Sequence, residues 1–167
     1  MEPTLLPGDY FIASGSAAAP VRKEIVVYRT RGQVLIKRIL GLPGDTLAMR
    51  AGVLLVNGDS LPEPYALHEG EQSGSDPSFA WQRRFLLSSG DSLRYHPTVA
   101  FWGPIVVPTA KYFVLGDNRG ESADSRYYGF VDRSEIFARP RFIYFSKDRH
   151  TGRIRWNRIG RAIRDST

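Results

Sequence analysis

Short runs of apolar and β-branched residues, separated by polar turns, set the pattern of this chain. Residues 10–13 (Tyr-Phe-Ile-Ala), 24–28 (Glu-Ile-Val-Val-Tyr) and 34–40 (Val-Leu-Ile-Lys-Arg-Ile-Leu) read as strands. Turns at Pro7-Gly8-Asp9 and Pro43-Gly44-Asp45 punctuate them. Residues 53–56 followed by Asn57-Gly58-Asp59 form a hairpin signal, because Asn-Gly suits the type I′ turn that matches strand twist. Further strands are expected at 111–115, 129–131 and 141–145. Helical periodicity is scarce, and the close spacing of strands predicts a mainly β fold, an antiparallel barrel or sandwich.

The stretch from about 61 to 110 has another texture. It holds Pro62, Pro64, Pro77, Pro97, Pro104 and Pro108 and the polar run 69–76, with Trp81, Phe85, Leu86, Leu87, Phe101 and Trp102 between them. That is enough apolar material to pack. The expected organisation is one domain over 1–167, with a core of 1–60 and 111–167 and a small subdomain inserted at 61–110.

Composition narrows the function classes. Hydrophobic residues make up 42% and charged residues 24%, an ordinary globular balance. There is no cysteine, which excludes disulfides and thiolate metal sites. His68, His96 and His150 lie far apart without ligand spacing, so neither a zinc site nor a catalytic histidine is expected. No run approaches the roughly 20 apolar residues of a spanning helix.

The net charge of +6 is concentrated near the end, in Lys147, Arg149, Arg153, Arg155, Arg158, Arg161 and Arg164 against Asp148. A solvated face fits this run, and so does a surface for anionic phospholipid. Nucleic acid does not fit, because no aromatic-basic motif or recognition helix accompanies the charge.

Three segments carry candidate chemistry. The first is Met1-Glu2-Pro3-Thr4-Leu5-Leu6-Pro7-Gly8-Asp9. The second is Ile36-Lys37-Arg38-Ile39-Leu40-Gly41-Leu42-Pro43-Gly44-Asp45. The third is Gly116-Asp117-Asn118-Arg119-Gly120-Glu121-Ser122-Ala123-Asp124-Ser125-Arg126. Seen by itself, Lys37 reads most simply as a strand lysine facing solvent, and 116–126 as a turn-rich loop with surface ion pairs. A calcium loop is disfavoured, since Asp117, Gly120 and Asp124 miss the EF-hand spacing.

Taken together and in this order, the three segments resemble the sequence boxes of type I signal peptidases. The resemblance implies a signal-peptidase fold and a serine endopeptidase that removes signal peptides at Ala-x-Ala sites of exported preproteins. In that reading Lys37 is the general base and Ser122 orients its amine. Arg38, Asp124 and Arg126 form a supporting polar cluster in which Asp124 pairs with Arg38. Met1, Leu5, Phe11, Leu35 and Ile36 shape the substrate pockets. A serine hydroxyl becomes a nucleophile only when a base takes its proton, and a lysine serves only when burial lowers its pKa.

No cofactor or metal is implied, and a monomer is expected. The expected location is the extracytoplasmic side of a bacterial inner membrane. Related possibilities are a maturation peptidase of pilin or conjugation proteins and a noncatalytic peptide-binding relative. In the family the nucleophilic serine stands immediately before the residue matching Met1. The chain as written therefore lacks it, through a start at an internal methionine, a truncation or a true loss, and is expected to be inactive. Ser14 and Ser16 lie beyond the Gly8-Asp9 turn and a strand, and cannot substitute.

Overall fold

The described residues form ten strands, all paired antiparallel. The computed structural model describes residues 1–15, 17–68, 75–88 and 94–163. The polar run at 69–74, Ser16 and Arg164 lie outside them. The strands are β1 (Asp9–Ser14), β2 (Ile25–Thr30), β3 (Gln33–Gly41), β4 (Thr46–Arg50), β5 (Val53–Val56), β6 (Asp59–Ser60), β7 (Phe101–Val106), β8 (Lys111–Leu115), β9 (Val131–Asp132) and β10 (Ile136–Ser146). They form a six-stranded sheet, β1-β10-β2-β3-β8-β9, and a four-stranded sheet, β6-β5-β4-β7. Among the described residues neither sheet closes into a barrel.

Tight hairpins set the registers. Arg31-Gly32 joins β2 to β3, Ala51-Gly52 joins β4 to β5, and Asn57-Gly58 joins β5 to β6. All six residues have positive φ, the type I′ condition that keeps flanking strands in their natural twist.

β3 and β8 lie at the centre, and their alternation feeds both faces of the larger sheet. Leu40, Phe113 and Leu115 join a core with Leu47, Met49, Leu54, Trp102 and Ile105 of the smaller sheet. Ile39, Tyr112 and Val114 turn to the other face, against Val26, Tyr28, Val131 and Ile136. Two cores therefore share one pair of strands.

β4 and β7 were absent from the pattern read above. In β4, Ala48 and Met49 are weak strand formers, and in β7 Gly103-Pro104 breaks the run at a register shift opposite Leu47 and Met49. β7 pairs with β4, and Tyr65, Phe79 and Val99 enter the first core, so material from 61–110 packs directly on the site-bearing strands. A 3₁₀ helix, Pro77–Phe85, starts where Asp76 accepts from Ser78 N, and a four-residue helix α1, Ser125–Tyr128, is capped by Asp124. No helix of the described residues is long and apolar enough to cross a membrane.

Candidate active site

The register of β3 decides which side chains meet. Arg38 pairs with Leu115, the last residue of β8, so the loop at 116–126 departs beside Lys37 and Arg38. Lys37 Nζ donates to Ser122 Oγ at 2.9 Å. Burial lowers the Lys37 pKa; Arg126 acts the same way, while Asp124 and Asp117 oppose it. Among the described residues no carboxylate pairs with the amine, so nothing offsets its desolvation at contact distance.

Gly116 makes that approach possible. A Cβ on Gly116 would lie 2.2 Å from Ser122 Oγ and 3.5 Å from Lys37 Nζ. Its backbone is not in the left-handed region, so the requirement is one of space.

Arg38 has a different partner from the one expected. Its Nε and Nη2 donate to the two Asp117 carboxylate oxygens at 2.9 and 2.7 Å, and both residues are buried. Asp124 pairs instead with Arg126, whose Nε and Nη2 reach it at 2.9 and 3.0 Å. The reason is local. Asp117 lies two residues beyond the end of β8 and is delivered to Arg38, whereas Asp124 and Arg126 lie two residues apart at the start of α1. Asp124 also accepts from Gly116 N at 3.1 Å.

Thr4 Oγ1 donates to Asp117 at 2.5 Å, which ties the N-terminal segment to the same pair. Tyr65 stacks on the Arg38 guanidinium, 3.9 Å from ring centroid to Cζ, and Glu63 pairs with buried Arg119. Of these, Asp117 stood in a motif already singled out. Tyr65 and Glu63 carried no signal, because their partners lie tens of residues away with no period linking them.

Met1, Leu5, Phe11 and Ile36 come together as the lining of a cleft of about 470 Å³, along with Asn118, Glu121 and Arg149. Leu35 stands apart from that lining and packs against the second core. The Met1 amine is held below its ordinary pKa, first by burial and then by the charge of Lys37, so the two groups are neighbours. The turn at 6–9 is fastened by Asp9. Burial pushes that carboxyl up, but bonds from Arg158, Ser146 Oγ and Leu6 N outweigh it and hold the pKa below the usual value. Arg158, read above as part of a basic run, is thus buried against Asp9 and also donates to Thr4 O at 2.9 Å.

A family model described as "Signal peptidase, peptidase S26" matches residues 1–145. The chain belongs to this family. Similar peptidases include signal peptidase I of Bacillus amyloliquefaciens, 35% identical over 125 residues, 74% of this chain and 58% of the relative. Signal peptidase I P of Bacillus subtilis subsp. natto is 30% identical over 151 residues, 87% of this chain and 72% of the relative. A probable signal peptidase I-2 of Synechocystis is 34% identical over 150 residues, 83% and 56%. The chain therefore spans little more than half the length of two of these three signal peptidases. The crystal structure of a signal peptidase I from Enterococcus faecalis V583 is 33% identical, covering 72% of this chain and 96% of that one, with a TM-score of 0.48.

Proposed function

We propose that this chain is the catalytic part of a signal peptidase I that cleaves exported preproteins after Ala-x-Ala by a Ser-Lys mechanism. The observation that carries the reading is the half-buried Lys37 amine, bonded to Ser122 and near enough to the Met1 amine to lower its pKa. Ser122 Oγ accepts one amine proton and so fixes the direction of the lone pair. In the family's order the nucleophile is the hydroxyl of a serine directly before Met1. Neutral Lys37 takes its proton as the oxygen attacks the scissile carbonyl, and the resulting ammonium returns that proton to the leaving amine. Water, deprotonated by the same amine, then releases the acyl group and restores the serine.

Strand pairing supplies a place for the substrate. β8 pairs with Arg38, Ile39 and Gly41 of β3 and with no residue before them. Among the described residues no strand pairs with the edge of β3 from 33 to 37 that faces away from β2. An extended peptide added there makes backbone hydrogen bonds, while the cleft of Met1, Leu5, Phe11 and Ile36 limits side-chain size.

The test compares two proteins against an Ala-x-Ala preprotein, read by mass spectrometry. A form carrying a serine directly before Met1, with the chain leading into it, is expected to cut after the second alanine. The 167-residue chain itself is expected to give no product. Cleavage by the latter would identify another nucleophile and end the Ser-Lys assignment.

A lipid surface as partner has its own support. Tyr10, Ile12, Phe142 and Tyr144 are exposed on β1 and β10, with the Tyr10 and Tyr144 rings 6.2 Å apart. Trp156 is 75% exposed, and Arg141 and Arg153 are exposed as well. Apolar rings interspersed with cations suit an anionic bilayer interface. The chain is expected to float with vesicles containing phosphatidylglycerol and much less with phosphatidylcholine alone. Trp156→Ala should weaken flotation; equal flotation by the variant removes that residue from the interface.

A further inference from the structure

Resting on the Lys37–Ser122 reading, we infer that Trp81 is a positioning residue that holds the Ser122 loop in register with Lys37 from outside. Trp81 stands on the 3₁₀ helix Pro77–Phe85, far in sequence from all three motifs. Its indole Nε1 donates to the Arg126 carbonyl at 2.9 Å. α1 is only four residues long, so carbonyls at its end need acceptors' partners from elsewhere, and the indole provides one. The ring also lies against Gly129, the cap of α1, where a Cβ would stand 3.8 Å from it. Phe130 and Phe85 meet the ring edge-on at 5.2 and 5.8 Å, and buried Phe79 meets Tyr127 of α1 in the same manner.

From Arg126 the connection runs inward. Its guanidinium donates to Arg119 O at 2.6 Å, to Ser122 O at 3.4 Å and to both oxygens of Asp124. Asp124 in turn receives Gly116 N, and Ser125 Oγ receives Val114 N at 2.9 Å. The backbone of Arg126 is thus fixed by Trp81, and its side chain fixes the backbone of Ser122. The first half of the loop has a separate brace: Leu67 bonds Asp117 O and Arg119 N, each at 2.7 Å. Trp81 secures the second half.

Comparison with Trp102 argues against a purely packing role. Trp102 is fully buried in the first core and its Nε1 has no hydrogen-bond partner among the described residues. Trp81 is half-buried, contributes less apolar burial, and has its indole N–H committed to the loop.

The experiment uses the 167-residue chain with lysine Cε labelled by ¹³C, titrated by NMR, the Lys37 signal being assigned by its loss in Lys37→Met. Trp81→Phe keeps an aromatic ring and removes the indole bond. The charged groups around Lys37, namely Asp117, Asp124, Arg126 and the Met1 amine, stay in place in this variant. As the loop relaxes and water reaches the amine, the Lys37 midpoint is expected to rise by about 0.5–1 pH unit. Lys23, Lys111 and Lys147 should not move. Phe85→Leu, a packing change in the same aromatic cluster, should lower Tm and leave the Lys37 midpoint unchanged. In the serine-bearing form, Trp81→Phe should reduce kcat roughly tenfold at constant KM.

A Lys37 midpoint unmoved by Trp81→Phe overturns the proposal and leaves Trp81 a packing residue. An equal shift in Phe85→Leu overturns it as well. An ordinary midpoint for Lys37 in the parent chain is a different result, since it removes the base reading on which the proposal rests.

Discussion

Replacing Lys37 by alanine in the serine-bearing form is expected to lower kcat by about 10³-fold or more, with KM for a preprotein little changed. A general base contributes on the order of 10²–10⁴. Lys37→Arg should not rescue, because a guanidinium stays protonated. In the parent the rate should rise with pH through the lowered midpoint of Lys37, since only the neutral amine accepts a proton. Stability should follow the same sign. The folded state binds the Lys37 proton less readily than the unfolded chain does, so burying the ammonium costs stability below the folded midpoint. That cost fades as pH climbs towards the ordinary lysine value. Lys37→Met should therefore be at least as stable as the parent near neutrality, with its advantage shrinking as pH rises. Activity assays and denaturant curves at several pH values check both; full activity in Lys37→Ala would dismiss the assignment.

Asp117→Ala is expected to cost about 3–5 kcal/mol of unfolding free energy, measured in urea. Arg38 would be left fully buried with its bidentate partner gone, its remaining hydrogen bonds among the described residues being to the Lys23 carbonyl and, at length, to Thr4. Thr4 would lose its acceptor in the same substitution. Removing both charges together, as Arg38→Met with Asp117→Leu, should recover most of the loss, because no unpaired ion then remains inside. A double variant no more stable than Asp117→Ala would show that the cost comes from packing instead.

The strands β1, β2, β3, β5 and β8 were legible because β-branched and aromatic residues are dense in them, while β10 was read only at 141–145 because Arg139-Pro140 hides its first half. β4 and β7 were not, since Ala48-Met49 and Gly103-Pro104 conceal strands that only their partners complete. The meeting of Lys37 with Ser122 follows the order of the motifs, not the periodicity: in its own window Lys37 reads as a solvent-facing strand lysine. Which acid pairs with Arg38 depended on where β8 ends, a matter of register that residue types do not encode. Tyr65 and Trp81 belong to a stretch whose composition suggested a separate subdomain. Their contacts with the site arise because β7 is sewn into the smaller sheet and brings its neighbours across.

The buried ions around Lys37 are matched in sign: Arg38 with Asp117, Arg126 with Asp124, and Arg119 with Glu63. Their influences on the lysine partly oppose one another, and desolvation leads. An amine tuned by dehydration among buried ion pairs responds little to ionic strength, because buried charges are screened much less than exposed ones. The exposed arginines of the aromatic face have no such shelter. On the roles proposed for Lys37 and the aromatic face, added salt should therefore loosen the hold on an anionic membrane well before it disturbs the proton transfer.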